Sequence, residues 1–220
     1  MNPDPLMQFL TKLKFNNERA WFDAHRAEYQ ALRQAFVGFM GEVIAGVAAF
    51  DPAVAAVRPQ DTLFRINRDT RFAGDKSPYK TTFSAAISPG GRHSSSPLYY
   101  LQLGPEQSLV AGGVYFPQPG DLRIIREYIG RFPRKAEALL ADPSLGTFGG
   151  LAQDGLLVRF PRGYGEGSAL LKYKSFTVGS EFDSAQLAGA ALISYVVERY
   201  RAMEPLHAWL REALSYRAPN

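Results

Sequence analysis

Four short β-rich segments between residues 62 and 116 constrain the fold of this chain more than any other feature. The segments are bounded by glycine or proline and comprise Thr62–Ile66, Thr82–Ser88, Leu98–Leu103 and Ser108–Phe116. Their connections are too short for the crossover helices that parallel strands need, and Gly104-Pro105-Glu106-Gln107 has the composition of a hairpin loop. The region therefore predicts antiparallel strands. Within the last of them, Gly112-Gly113 indicates a bulge or a close backbone contact.

Helical patterns lie on both sides of this region. Apolar residues recur at helical spacing from residue 16 to 50 and predict one long amphipathic helix, in which Trp21, Phe22 and Phe36 should be largely buried. His25 lies on the same stripe and is interpreted as a satisfied core histidine. Residues 119–140 predict a middle helix.

The C-terminal part adds strands and helices to this pattern. Residues 156–160 and 176–182 predict two further strands, and a C-terminal helix should start at Ser184 and break or restart at Pro205. The order of elements predicts an α+β fold with a mostly antiparallel sheet of five to six strands. A long N-terminal helix, a middle helix and C-terminal helices should flank this sheet.

Composition excludes several classes of protein. With 46% hydrophobic and 21% charged residues over 220 positions, the chain is not disordered, and it has no repeat or interdomain linker. We therefore expect one domain over residues 1–220. The absence of cysteine excludes disulfides, thiolate nucleophiles and cysteine-ligated metals, and three widely separated histidines do not predict a metal site. Without a signal peptide or a long uninterrupted apolar run, the expectation is a soluble cytoplasmic protein with no membrane association and no cofactor.

Positive charge is concentrated in two segments, although the net charge is only +4. Residues 65–80 carry five cations and two carboxylates, a sum of +3, and residues 159–174 carry four cations and one carboxylate, again +3. The cations of the second segment are Arg159, Arg162, Lys172 and Lys174, and its carboxylate is Glu166. Local positive charge of this kind favours an anionic partner.

Two interpretations of the first segment compete. In the structural one, arginines pair with Asp69 and Asp75 and hold an irregular loop. In the functional one, the cations and a tyrosine bind an anion, which leaves an aspartate for a metal or for proton transfer. The excess of cations favours binding, and the predicted ligand-binding residues are Arg65, Arg68, Asp69, Arg71, Asp75, Lys76, Tyr79 and Lys80. Gly74-Asp75-Lys76-Ser77 does not match a phosphate-binding loop, because Asp75 separates the glycine from the lysine and a strand follows instead of a helix.

Three functions are compatible with this charge pattern. The favoured one is a small anionic ligand bearing a phosphate or carboxylate, with enzymatic activity left open and no catalytic residue assigned. The second is nucleic acid, because both basic segments interleave aromatic residues, namely Phe72, Tyr79, Phe160, Tyr164 and Tyr173. The third is an interaction module in which the arginines and aspartates are purely structural. The pattern does not determine the oligomeric state.

Several stretches resemble a widespread bacterial and fungal family, domain of unknown function 2461. They are residues 16–22 (NNERAWF), 64–72 (FRINRDTRF), 75–80 (DKSPYK) and 112–117 (GGVYFP). The resemblance spans nearly the whole chain and implies no activity, cofactor or partner. In the loop after Tyr164, Gly165-Glu166-Gly167-Ser168 stands where the family usually carries aspartates and a His-Pro pair.

Overall fold

Four antiparallel strands form one sheet in the part of the chain that the structure describes. This computed structural model describes residues 1–71, 74–91, 94–165 and 167–217, so Phe72, His93 and Glu166 lie outside it. The strands are β1 (Phe83–Ile87), β2 (Leu98–Leu103), β3 (Ser108–Val114) and β4 (Phe176–Phe182), in the order β1-β2-β3-β4. The α+β class and the antiparallel pairing are confirmed. The predicted count of five to six strands is wrong.

Two predicted strands are absent from the sheet. Thr62 ends a short helix that begins at Pro59, and the chain after it forms an isolated bridge from Leu63 to Ala85 but no strand. Residues 156–160 are irregular, although Leu157 N donates to Lys172 O at 2.9 Å. In that stretch Val158 is 90% exposed. Apolar β-formers become strands only where a neighbouring strand and a buried face are present, and this stretch has neither.

The helices of the described chain flank this sheet. They are α1 (Asp4–Phe15), α2 (Arg19–Ala24), α3 (Arg26–Ala48), α4 (Pro59–Thr62), α5 (Pro119–Arg131), α6 (Pro133–Leu140), α7 (Pro143–Gly146), α8 (Ala190–Ala202) and α9 (Glu204–Ser215). Short 3₁₀ turns cover Pro52–Val54, Ala169–Lys172 and Ser184–Gln186.

Three helix predictions need correction at their boundaries. The long N-terminal helix is interrupted at His25, whose non-helical backbone separates α2 from α3. The middle helix divides at Phe132, because Pro133 cannot continue the hydrogen-bond ladder and starts α6 instead. Ser184 begins only a 3₁₀ turn, and α8 starts after Gly189. The predicted restart at Pro205 is confirmed, since that residue lies in the first turn of α9.

The core lies between one face of the sheet and the helices. Ala85, Leu101, Val110 and Val178 point from the four strands into it and are buried. Phe36 of α3 is also buried, with its ring edge-on to Phe83 at 5.6 Å between centroids. The prediction that Phe22 and Phe36 are buried is confirmed, whereas Trp21 is only half-buried. By length and apolar composition α3 also meets the criteria for a membrane span, as core helices often do.

The opposite face of the sheet is partly covered by the chain that precedes β1. Ser84, Tyr100 and Gln102 share this face, and Tyr100 Oη donates to Gln102 Oε1 at 3.1 Å. Arg65 and Asn67 are not strand residues and so do not extend this face. Instead Phe64 packs edge-on against the Tyr100 ring at 6.0 Å, which anchors the start of the basic segment.

Candidate anion-binding site

The basic segment of residues 65–80 is closed into a loop by backbone hydrogen bonds. Arg68 N donates to Pro78 O at 2.9 Å, and Lys80 N donates to Ile66 O at 2.8 Å. Phe64 N donates to Ser84 O at 2.9 Å and attaches the loop to β1. The two ends of the segment are therefore held side by side at the edge of the sheet.

Tyr79 anchors this loop in the core. Its ring stacks on Phe22 with centroids 4.0 Å apart and an interplanar angle of 18°. Its backbone exchanges two hydrogen bonds of 3.0 Å with the side chain of Asn17. The Tyr79 side chain is buried, which favours a structural role for this residue.

Three of the five cations end on acceptors inside the segment. Arg68 forms an ion pair with Asp75, and Arg71 holds Asp69 with two bonds, Nε to Oδ1 at 2.9 Å and Nη2 to Oδ2 at 2.6 Å. Lys76 Nζ donates to Thr70 O at 3.0 Å. The two arginine–aspartate pairs are the contacts that the structural interpretation of the segment predicts. A ligand-binding role for Arg68, Arg71 and Lys76 stays a prediction.

The two carboxylates are correspondingly stabilised as anions. Hydrogen bonds from Ser77 and from Arg68 lower the pKa of Asp75. Hydrogen bonds from the Arg71 side chain and backbone lower the pKa of Asp69. Both carboxylates are therefore charged at neutral pH, which does not suit them to accept and return a proton there.

Arg65 and Lys80 differ from the other three cations. Neither forms an ion pair with any residue of the described ranges. Lys80 is half-buried with Nζ 5.5 Å from the centre of the Phe64 ring, and burial together with the nearby Arg65 charge lowers its pKa. Among the arginines of the segment, Arg65 therefore differs from Arg68 and Arg71, each of which holds a carboxylate in an ion pair.

A groove of about 620 Å³ lies between α3 and the chain that leads into the basic segment. It is lined by Tyr29, Arg33, Gln60, Asp61, Leu63, Phe64, Arg65, Ile66, Asn67, Gly90 and Gly91. We call it the α3 groove. Of the predicted ligand-binding residues only Arg65 lines it, and Arg33, Tyr29 and Gln60 were missed.

One turn of α3 places Tyr29 and Arg33 on the same side of the α3 groove. Burial raises the pKa of the Tyr29 hydroxyl, while a hydrogen bond and the charge of Arg33 act in the opposite direction. Arg33 forms no ion pair within the described ranges. In the sequence, the i, i+4 spacing of Tyr29 and Arg33 on one helix face could have indicated that the two side chains lie together. Tyr29 also fits the apolar stripe of the helix, which predicts a core position instead of a binding one.

A second cavity of about 380 Å³ lies on the other side of the segment. Among its lining residues are Arg68, Asp75, Tyr79 and Lys80, together with the ion pair between Lys14 and Glu106. Its three cations are largely balanced by two carboxylates. Asp69, Arg71 and Lys76 line neither cavity, and neither do Arg162 and Lys174 of the second basic segment.

The described residues were also compared with the geometry of a metal site, and His25 with its predicted packing role. Within the described residues no group of three or more His, Asp or Glu side chains is arranged to hold a metal ion. His25 is half-buried, stacks on Trp21 at 3.9 Å and contacts Trp21 O through Nδ1 at 2.8 Å, which agrees with a satisfied packing role.

Comparison with known proteins gives one family match. The family model described as "Conserved hypothetical protein (DUF2461)" matches residues 5–209. No curated protein and no solved structure matches the chain. The matched range includes both cavities and all four strands.

Proposed function

The chain belongs to the DUF2461 family, and from the geometry of the α3 groove we propose that it binds a small ligand bearing a phosphate or carboxylate group. The observation that carries this proposal is the pair Arg33 and Arg65. Both guanidinium groups line one groove, and neither has a carboxylate partner in the described ranges. Two like charges in a shared groove repel each other, and the single Asp61 carboxylate in the lining leaves an excess of positive charge, so an anion between the arginines lowers the energy of the folded protein.

The remaining lining residues suit a polar ligand of modest size. A groove of about 620 Å³ lies in the range of small-molecule sites. Guanidinium groups bind the two oxygens of a carboxylate or phosphate with parallel hydrogen bonds. The Tyr29 hydroxyl and the amides of Gln60 and Asn67 add donors that can orient the rest of the ligand.

Asp61 adds selectivity to the α3 groove. Arg58 Nε donates to Asp61 Oδ2 at 2.7 Å, and Asp61 lines the same groove as the two arginines. A second negative charge on the ligand near Asp61 would be repelled, whereas a hydroxyl or amine there would be accepted. The proposed ligand is therefore a small polar molecule with one anionic end and not a polyanion.

The positions of the aromatic residues favour nucleic-acid binding less than the binding of a small ligand. Single-strand binders stack bases on exposed rings, but Tyr79 stacks on Phe22 inside the protein. Phe160, Tyr164 and Tyr173 are half-buried and pack against the core. Of the cations of residues 65–80, Arg65 lines one cavity and two others line the second, whereas a backbone-tracking site needs a continuous stripe.

A thermal-shift comparison of charge-removing variants tests this proposal. Phosphate, small phosphomonoesters and small carboxylates are added at constant ionic strength to the wild type, Arg33→Gln, Arg65→Gln and Arg71→Gln. Arg71→Gln is the matched control, because Arg71 belongs to the same segment but lines neither cavity. We expect at least one ligand class to raise the melting temperature, by about 2–4 °C for each kcal/mol that ligand binding adds to the free energy of unfolding.

The variants then locate the site. The stabilisation should be lost in Arg33→Gln and Arg65→Gln and kept in Arg71→Gln. The proposal fails if no anion stabilises the wild type, or if Arg65→Gln retains the full shift. Absorbance at 260 and 280 nm of protein purified at low salt tests the alternative, since co-purified nucleic acid would favour it.

A further inference from the structure

Four exposed apolar side chains lie where the chain leaves β3 and where the loop of residues 153–160 passes it. Tyr115 is 64% exposed, Phe116 43%, Leu156 38% and Val158 90%. The Phe116 ring meets that of Tyr115 edge-on at 4.7 Å between centroids, and its Cε1 atom lies 3.0 Å from the position that a Cβ of Gly155 would take. Since Leu156 follows Gly155 directly, the two segments contribute to one patch of surface.

The backbone at Phe116 is strained. Its φ is +42°, in the left-handed region that a bulky side chain rarely adopts. Strain of this kind persists only where the surrounding structure imposes it, and it is found preferentially at functional sites. Here it accompanies two neighbouring aromatic rings that are both left exposed, which points to a binding function for this surface.

Four cations lie along the same loop and along the chain that leads into β4. The Lys174 side chain passes Gly155, with Cδ 3.6 Å from the Cβ position of that glycine, and Leu157 N donates to Lys172 O at 2.9 Å. Arg159 is exposed and belongs to the loop itself. The complete set is Arg159, Arg162, Lys172 and Lys174. We call these cations and the four apolar residues the apolar–basic surface.

Positive charge is in excess on the apolar–basic surface. None of its four cations forms an ion pair within residues 1–71, 74–91, 94–165 and 167–217. The neighbouring carboxylates in these ranges are Asp154, next to Gly155, and Asp121, which lines a cavity together with Tyr115 and Phe116. Four cations against two carboxylates leave an excess of two positive charges. The complementary partner is therefore anionic and has an apolar part.

The composition of this surface favours a lipid bilayer over a protein as that partner. Two of the four cations are lysines, a residue type that is depleted at protein–protein interfaces, whereas clusters of Lys and Arg are typical of contacts with anionic lipids. Val158, at 90% exposed, stands clear of the protein surface. A projecting aliphatic side chain can enter the boundary between headgroups and acyl chains, where tyrosine rings are also favoured.

We propose that the apolar–basic surface binds peripherally to membranes that contain anionic lipids. The apolar side chains enter the headgroup region, and the cations contact the lipid phosphates. Peripheral binding needs neither a signal peptide nor a spanning segment, whose absence led to the expectation of no membrane association. The proposal is independent of the α3 groove, whose lining residues include none of this surface.

Co-sedimentation with lipid vesicles tests the proposal. The full chain is mixed with vesicles of phosphatidylcholine alone or of phosphatidylcholine with phosphatidylglycerol. We expect binding to the mixed vesicles that weakens as salt is raised, and much weaker binding to phosphatidylcholine. Val158→Ser should lower the partition coefficient about tenfold, because the apolar contact is lost. Arg159→Gln/Arg162→Gln should lower it about 20- to 30-fold.

Two control variants match these changes at other places. Phe15→Ser removes another exposed apolar side chain, and the preceding residue, Lys14, pairs with Glu106 just before β3, at the opposite end of that strand. Arg19→Gln/Arg26→Gln removes the same charge from α2 and α3, where both arginines pair with Asp23. Both controls should bind the mixed vesicles within about twofold of the wild type.

Several results would overturn the proposal. These are the absence of wild-type binding to the mixed vesicles, wild-type binding by Val158→Ser or by Arg159→Gln/Arg162→Gln, and an equal loss of binding in the control variants. Binding of a single-stranded oligonucleotide without binding of vesicles would assign this surface to nucleic acid instead. Arg33→Gln should bind vesicles as the wild type does, which separates this surface from the α3 groove. All substituted side chains of the test variants are exposed, so unchanged melting temperatures should accompany the changes in binding.

Discussion

The side chain of Asn17 and the backbone of Tyr79, 62 residues apart in the chain, form a reciprocal pair of hydrogen bonds. Asn17 Nδ2 donates to Tyr79 O, and Tyr79 N donates to Asn17 Oδ1, both at 3.0 Å. The side-chain amide of Asn17 thus satisfies both backbone groups of Tyr79, as a neighbouring β-strand would. Since the Tyr79 ring also stacks on Phe22, the connection between α1 and α2 determines where the segment sits.

Replacing Asn17 by alanine should destabilise the protein. Both backbone groups of Tyr79 lose their partner in a half-buried place, which should lower the free energy of unfolding by about 1–3 kcal/mol. Urea denaturation measures this change. Asn16→Ala is the control and should cost less, because the Asn16 side chain donates an exposed hydrogen bond to Lys12 O. Equal effects of the two substitutions would contradict the anchoring role of Asn17.

The ion pair between Arg68 and Asp75 predicts a modest and salt-sensitive contribution to stability. The Arg68 side chain is 29% exposed and that of Asp75 is 60% exposed, so solvent screens the pair. Arg68→Ala should lower the free energy of unfolding by about 1 kcal/mol, and Lys76→Ala should change it by less than about 0.5 kcal/mol. A double-mutant cycle with Asp75→Ala at low and high salt measures the coupling. An unchanged or raised melting temperature of ligand-free Arg68→Ala would instead favour a ligand-binding role for Arg68.

His207 should make stability depend on pH in the mildly acidic range. It is fully buried beside Tyr99, and burial followed by the nearby Arg211 charge lowers its pKa to about 3. An unfolded histidine has a pKa near 6.5, so between these values the unfolded chain binds more protons and stability falls as pH falls. The expected slope is about 1.4 kcal/mol per pH unit below pH 6.5, with full stability above it.

Urea denaturation between pH 5 and 7.5 checks this expectation. His207→Leu should reduce the slope in this window, whereas Tyr200→Phe should leave it unchanged. Tyr200 is equally buried and its hydroxyl also has no partner in the described residues, but it stays neutral throughout the range. Identical slopes for the wild type and His207→Leu would exclude His207 as the titrating group.

Gly113 should tolerate no side chain. Its φ is +118°, and a Cβ added there would lie 2.0 Å from Phe176 O on the paired strand β4. Gly113→Ala should therefore cost at least about 3 kcal/mol of unfolding free energy or prevent folding. Gly38→Ala is the control, because it lies in α3 with no atom within 4 Å of its Cβ position and should stabilise by about 0.5–1 kcal/mol. Wild-type stability of Gly113→Ala would contradict the close approach of the strands.

Several features of the fold could be predicted because they depend on neighbouring residues in the chain. The spacing of apolar residues around Phe36 indicated which face of α3 is buried, and the short loop at residues 104–107 indicated that β2 and β3 are antiparallel. The glycines at 112 and 113 indicated a close backbone contact, which Gly113 makes with β4. Proline at position 133 divides the middle helix by the same local rule, although its effect was not anticipated.

Within the candidate site, the sequence alone determined that residues 65–80 concentrate positive charge, and only the tertiary structure decided how that charge is used. Arg68 meets Asp75 and Arg71 meets Asp69, while Arg65 instead shares a groove with Arg33 of α3. Likewise Leu157 and its neighbours have the composition of a strand but find no strand to pair with. The physical reason is the same in each case: pattern and propensity are local properties, whereas ion pairing, strand pairing and burial depend on groups that approach only when distant parts of the chain pack together.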